Sequence, residues 1–174
     1  MNGIVRIIIG LIVNTINIIR FRRFKFCFTN SITPFYISIG SGKIQCGSNL
    51  VTRRNINFNV SSGTLMIGNR VFINNDVSIN CKHYIEIGDD VLFGESVKVY
   101  DHDHVFDGIS PVKKKDFTSE KIKIESGCWI GANSVIVKGV TIGRNSVVAA
   151  GSVVYKNIPE GSLYLNGEIR VAKK

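Results

Sequence analysis

Cysteine is scarce and unpaired in this chain. The 174 residues hold four, Cys27, Cys46, Cys81 and Cys128, and no two form a Cys-x-x-Cys pair. In a chain that is neither short nor visibly secreted, they read as reduced thiols packed as small hydrophobes in a cytosolic protein. A long apolar run is missing too. The stretch "GIVRIIIGLIVNTINIIRFRRFKF" is broken by Arg6, Asn14, Thr15 and Asn17, too short and too interrupted for a membrane-crossing helix. Its positive charges follow the apolar part and no small-residue cleavage site appears, which disfavours a signal peptide. What remains is a short helix over a basic N-terminal segment, 1–34. It either packs on the rest of the protein or lies on the inner face of the membrane, with Arg20, Arg22, Arg23 and Lys25 at anionic headgroups. Low-complexity tracts are absent, and 44% hydrophobic with 20% charged residues is an ordinary globular balance for one domain. Acidic residues are the minority, 13 against 22 basic ones, for a formal charge of +9. That excess favours an anionic partner. Nucleic acid is not expected, because the charge is scattered and no nucleic-acid-binding motif is present.

A period of six organises what is there. From Ile67 the chain reads IGNRVF, INNDVS, INCKHY, and after a two-residue slip at Ile85–Glu86 it reads IGDDVL, FGESVK, VYDHDH. Following an interruption it resumes as IESGCW, IGANSV, IVKGVT, IGRNSV, VAAGSV, VYKNIP. The leaders are Ile67, Ile73, Ile79, Ile87, Phe93, Val99, Ile124, Ile130, Ile136, Ile142, Val148 and Val154. A second apolar residue four places on (Val71, Val77, Val91, Val97, Val140) supports each inward leader, while Gly, Asn and Asp turn corners that branched residues resist. No helix has this period, and an alternating strand needs no corner every six residues. Short strands joined at corners, three to a coil, make a triangular parallel β-helix with stacked aliphatics. Three sixes predict eighteen-residue coils at 67–84, 87–104, 124–141 and 142–159, with looser coils around Ile39–Gly40 and Cys46–Gly47. The competing fold, a β-sandwich of many short strands, has no need of twelve such leaders. Open solenoid ends require caps, and the N-terminal segment is one candidate. The predicted organisation is the N-terminal segment at 1–34, the β-helix at 35–165 with a loop extruded at 105–123, and a tail at 166–174.

These sixes resemble the hexapeptide-repeat acyltransferases, whose fold is a left-handed parallel β-helix. The stretch "CWIGANSVIVKGVTIGRNSVVAAGSVVYKNIPEGS", 128–162, is similar to the C-terminal signature of the sugar O-acetyltransferases, including those acting on galactosides, maltose, capsule and lipopolysaccharide. The resemblance implies a homotrimer with sites in clefts between neighbouring coils and acetyl-CoA as donor. It also implies polysaccharide biosynthesis as the setting.

Acyl transfer to an alcohol needs a base for the hydroxyl proton, and imidazole is suited to that task near neutral pH. All three histidines, His83, His102 and His104, lie between 83 and 104. Aligned without gaps, the family's catalytic histidine falls on His104, with His102 the other candidate. Asp101, Asp103, Glu95 or a backbone carbonyl would hold its tautomer. A metal held by the histidines and carboxylates is the alternative, but Asp-His-Asp-His lacks the spacing of a standard zinc site, and none is expected. The same register implies acceptor contacts from Asn74, from Trp129, the sole tryptophan, and from Asp103. Asn74 alternatively reads as a corner residue, and a lone Trp as packing. For the donor it implies Gly131, Ala132, Ala150 and Gly151 along the pantetheine arm, and Lys156 and Lys173 at the CoA phosphates; solvated lysine is the other reading of the last two. The ending "YLNGEIRVAKK" departs from the family's Gly-x-Pro-Ala type segment. The N-terminus also departs from the galactoside and maltose enzymes, which shifts the expected acceptor toward a lipid-linked or surface-polysaccharide sugar. A different acceptor, such as an amino sugar, an antibiotic or serine, and a non-catalytic solenoid platform are the rival expectations.

Overall fold

The computed structural model describes residues 24–25 and 36–171. Of the helical, basic segment expected at 1–34, only Phe24–Lys25 falls among them, as a strand paired in parallel with Lys43–Cys46. The rest of that segment, and Lys173, lie outside the described residues.

Short strands assemble into three parallel sheets that close a β-solenoid of about 5 turns. The first face stacks Lys43–Cys46, Thr64–Ile67, Tyr84–Ile87, Ile122–Ile124 and Thr141–Ile142. The second face stacks Val51–Thr52, Phe72–Ile73, Leu92–Phe93, Trp129–Ile130, Val147–Val148 and Ser162–Leu165. The third stacks Tyr36–Ile39, Asn57–Val60, Ser78–Cys81, Lys98–Tyr100, Val135–Ile136 and Val153–Val154.

Every predicted leader points inward and pairs with the leader one coil away. Ile67, Ile87, Ile124 and Ile142 form one ladder. Ile73, Phe93, Ile130 and Val148 form the second, and Ile79, Val99, Ile136 and Val154 the third. All twelve are buried, as are Val71, Val77, Val91, Val97 and Val140. The corners use the positive φ anticipated there, at Asn55, Asp76, Asp90, Asn133 and Asn145 among others.

Coil length departs from the expected eighteen. That figure holds where Ile124 pairs with Ile142 (142 − 124 = 18), but Ile67 pairs with Ile87 (87 − 67 = 20) and Cys46 with Ile67 (67 − 46 = 21). The coil predicted at 67–84 is therefore corrected to run from Ile67 to Ile87, and the one predicted at 87–104 continues to Ile124 with the extruded segment inside it. The cause is a longer third face, where Val60 pairs with Cys81 as an additional buried row before the turn to the first face. Ile85–Glu86 is thus part of a strand, and the looser stretch before Ile67 is a full coil with Ile44, Leu50, Ile56 and Phe58 in its core.

The far end of the core is closed by a hairpin, Ser162–Leu165 against Glu168–Val171. Its turn, Asn166–Gly167, has positive φ at both residues (46 and 92), the conformation an Asn-Gly pair favours. Tyr164 stacks on Val148, is fully buried, and donates its hydroxyl to the Val153 carbonyl at 2.7 Å. The boundary expected between 165 and 166 falls inside this hairpin.

Candidate active site

The interruption after Val99 is an arm with internal pairing. His102–His104 runs antiparallel to Phe117–Ser119, matching His102 with Ser119, Asp103 with Thr118 and His104 with Phe117. The arm leaves the corner between the third and first faces, and 105–116 form its tip. Phe106 and Ile109 stand exposed there. Asp107 accepts the backbone N–H groups of Ser110 and Ile109, which hold its carboxyl below the usual range.

Asp101 anchors the base of the arm. Fully buried, its carboxylate accepts the Lys82 N–H at 2.8 Å, the His83 N–H at 2.7 Å and the His102 Nδ1–H at 2.9 Å. A carboxylate only accepts here, so Nδ1 of His102 carries the proton. The ring sits edge-on to Tyr100 and Phe117 and its side chain is only 14% exposed.

His104 is held differently. It is exposed, its ring lies against Phe117 at 4.4 Å between centroids, and its Nδ1 is 3.1 Å from the Lys113 carbonyl. A carbonyl oxygen accepts, so Nδ1 is the donor and Nε2 of the neutral ring presents a free lone pair. Of the four groups expected to hold the tautomer, the backbone carbonyl serves His104 and Asp101 serves His102. Asp103 instead pairs with Lys138 at 3.1 Å, and Glu95 accepts from Asn75. Among the described residues no group of three or more His, Cys, Asp or Glu side chains is placed to hold a metal ion.

Asn74 and the small residues occupy another corner, between the second and third faces, and Trp129 lies on the second face just before it. Backbone N–H groups of Asn74, Gly94 and Gly131 each donate one coil onward, to Phe93, Ile130 and Val148. A Cβ on Gly131 would stand 2.5 Å from the Ala150 nitrogen, so the main chain of 131–132 rides directly on 149–151. Asn74 is half-buried, and its Oδ1 accepts the Asn75 N–H. Trp129 lies in the outward row between Leu92 and Val147, 54% exposed. Lys156 is exposed nearby in sequence, after the last third-face strand.

One chain therefore brings His102, His104 and Asp103 together, and separately Asn74, Gly131, Ala132, Ala150 and Gly151. The third face lies between the two groups. Its strand residues alone, at about 3.3 Å each, separate them by roughly 10 Å or more.

Residues 121–156 match the family described as the hexapeptide repeat of succinyl-transferase. A hexapeptide-repeat-containing acetyltransferase of Vibrio cholerae, solved in complex with acetyl coenzyme A, is 30% identical with a TM-score of 0.55, over 79% of this chain and 69% of its own. A maltose O-acetyltransferase of Clostridium difficile is 31% identical with a TM-score of 0.53, over 78% of this chain and 68% of its own. A protein of Mycobacterium tuberculosis named as a probable acetyltransferase is 30% identical over 112 residues, 64% of this chain. This chain spans 37% of that relative's length. With two solved relatives at this identity and coverage, and the repeat register of the family running through its core, the chain belongs to the hexapeptide-repeat acetyltransferases.

Proposed function

We propose that this protein transfers an acetyl group from acetyl-CoA to a sugar hydroxyl, with His104 as general base. The observation that carries the reading is the His104 ring, exposed, with Nδ1 tied to the Lys113 carbonyl and Nε2 free. In the step, Nε2 takes the acceptor's hydroxyl proton as its oxygen attacks the thioester carbonyl carbon. The tetrahedral adduct then collapses with loss of the CoA thiolate, which recovers the proton from the imidazolium. Transfer is direct. Burial raises the Cys46 thiol to about 12 and pushes up those of Cys81 and Cys128 as well, Cys81 further by the charge of Asp101. None of these three is a ready thiolate nucleophile.

The placement of the two residue groups supports a site shared between copies in a homotrimer. His104 of one copy faces the Asn74 and Trp129 corner of the next, and the donor lies along Gly131, Ala132, Ala150 and Gly151 with Lys156 toward the CoA phosphates. Relatives named for acetyl-CoA binding and maltose O-acetylation favour this donor and a sugar acceptor. An acceptor bound for a surface polysaccharide, handled in the cytoplasm beside the membrane, accords with the basic N-terminal segment. The test is thiol release from acetyl-CoA across a panel of sugars and nucleotide-sugars, with an amino sugar and serine as comparisons. Acceptor-dependent release with a sugar is expected. No release from any acceptor, together with no CoA binding by calorimetry, overturns the reading.

A further inference from the structure

We propose that Lys138 is a positioning residue for the histidine arm, tying both of its strands to the next coil and so setting where His104 stands. This rests on the reading of His104 as the base. Nζ of Lys138 lies 3.1 Å from Oδ2 of Asp103 and donates to Oγ1 of Thr118. Those two residues face each other across the arm, so a single ammonium spans both strands. Side chains alternate along a strand, which puts His102, His104 and Phe117 on the opposite surface. There a second lysine takes hold: Nζ of Lys82 lies 3.9 Å from the Phe117 ring centroid, and that ring packs on His104.

Lys82 comes from the coil before the arm and Lys138 from the coil after it, so the arm is gripped on two surfaces from two heights. The rest of its length, 105–116, is exposed apart from this base. Lys138 is largely covered at 22% exposure, while Asp103 is open to solvent at 55%. Such a half-solvated pair contributes little to global stability. Its effect is therefore on where the arm sits, and catalytic placement is sensitive to displacements of an ångström.

The test is Lys138→Met in the full chain, read by the NMR position of the Lys82 ε-methylene protons, which the Phe117 ring shifts upfield when the arm is docked. In Lys138→Met that shift should collapse toward the ordinary lysine position, with the melting temperature unchanged, and Lys138→Arg should restore it. With a working acceptor, kcat should fall by about tenfold or more while the acetyl-CoA KM stays put. A Lys82 signal that keeps its upfield position in Lys138→Met overturns the proposal. Retained transfer in His104→Ala would overturn the base reading instead, and the Lys82 signal still decides the role of Lys138.

Discussion

His104→Ala should lower acetyl transfer by roughly two to four orders of magnitude, the usual worth of a positioned general base, and leave the fold intact. The side chain is exposed, and its contacts are the Lys113 carbonyl and the Phe117 ring, both within the arm. Nothing in the three aliphatic ladders depends on it, so melting temperature and oligomeric state should match the parent chain. His102→Ala is the informative comparison. That ring is largely covered and bonded to Asp101, so its loss should loosen the base of the arm and cost less activity. Full activity in His104→Ala with a large loss in His102→Ala would move the base role to His102. Steady-state thiol release with both variants, beside their thermal melts, separates the two.

Asp101→Ala should be the most destabilising single change at the site. The carboxylate has no exposure and satisfies two backbone N–H groups and one imidazole N–H. Alanine leaves those donors without their partner in a buried corner, at a cost of about 3 kcal/mol. For a chain of this size that corresponds to a fall of roughly 6–12 °C in melting temperature. Activity should fall as well, because the carboxylate holds the His102 ring at the base of the arm. Differential scanning calorimetry of Asp101→Ala checks the first claim. A melting temperature within about 2 °C of the parent, which corresponds to less than about 1 kcal/mol, would show that Asp101 is not the anchor.

How far the residues alone lead differs between solenoid and arm. Ile124, Ile130, Ile136 and Ile142 announce themselves because burial imposes aliphatic residues at every sixth position, and Ile124 stacks on Ile142 as that spacing implies. The longer early coils are less legible, because an additional buried pair at Val60 and Cys81 breaks the count of six without breaking the stack. Asn166–Gly167 carries a plain hairpin signal, yet its strands close the core through Tyr164, with Ile169 packed partly against it, and nothing local marks Tyr164 as buried. In the arm, the types of His102 and His104 pointed to proton transfer. What orients each ring depends on antiparallel pairing between 102–104 and 117–119, a contact without periodicity. The Lys113 carbonyl is invisible as a residue type, and Lys138 and Lys82 reach the arm from neighbouring coils, so none of the three could be singled out from spacing.

We propose that the base on one copy serves the Asn74 corner of another. Co-expressing His104→Ala and Asn74→Ala chains, each strongly impaired alone, tests it directly through thiol release from acetyl-CoA with the best acceptor. Random assembly into trimers with shared sites should restore about a quarter of parental activity, since one interface in four pairs an intact His104 with an intact Asn74. If each site lay within a single chain, every site would lack one of the two residues. The mixture would then be no more active than its components, and the account would be contradicted.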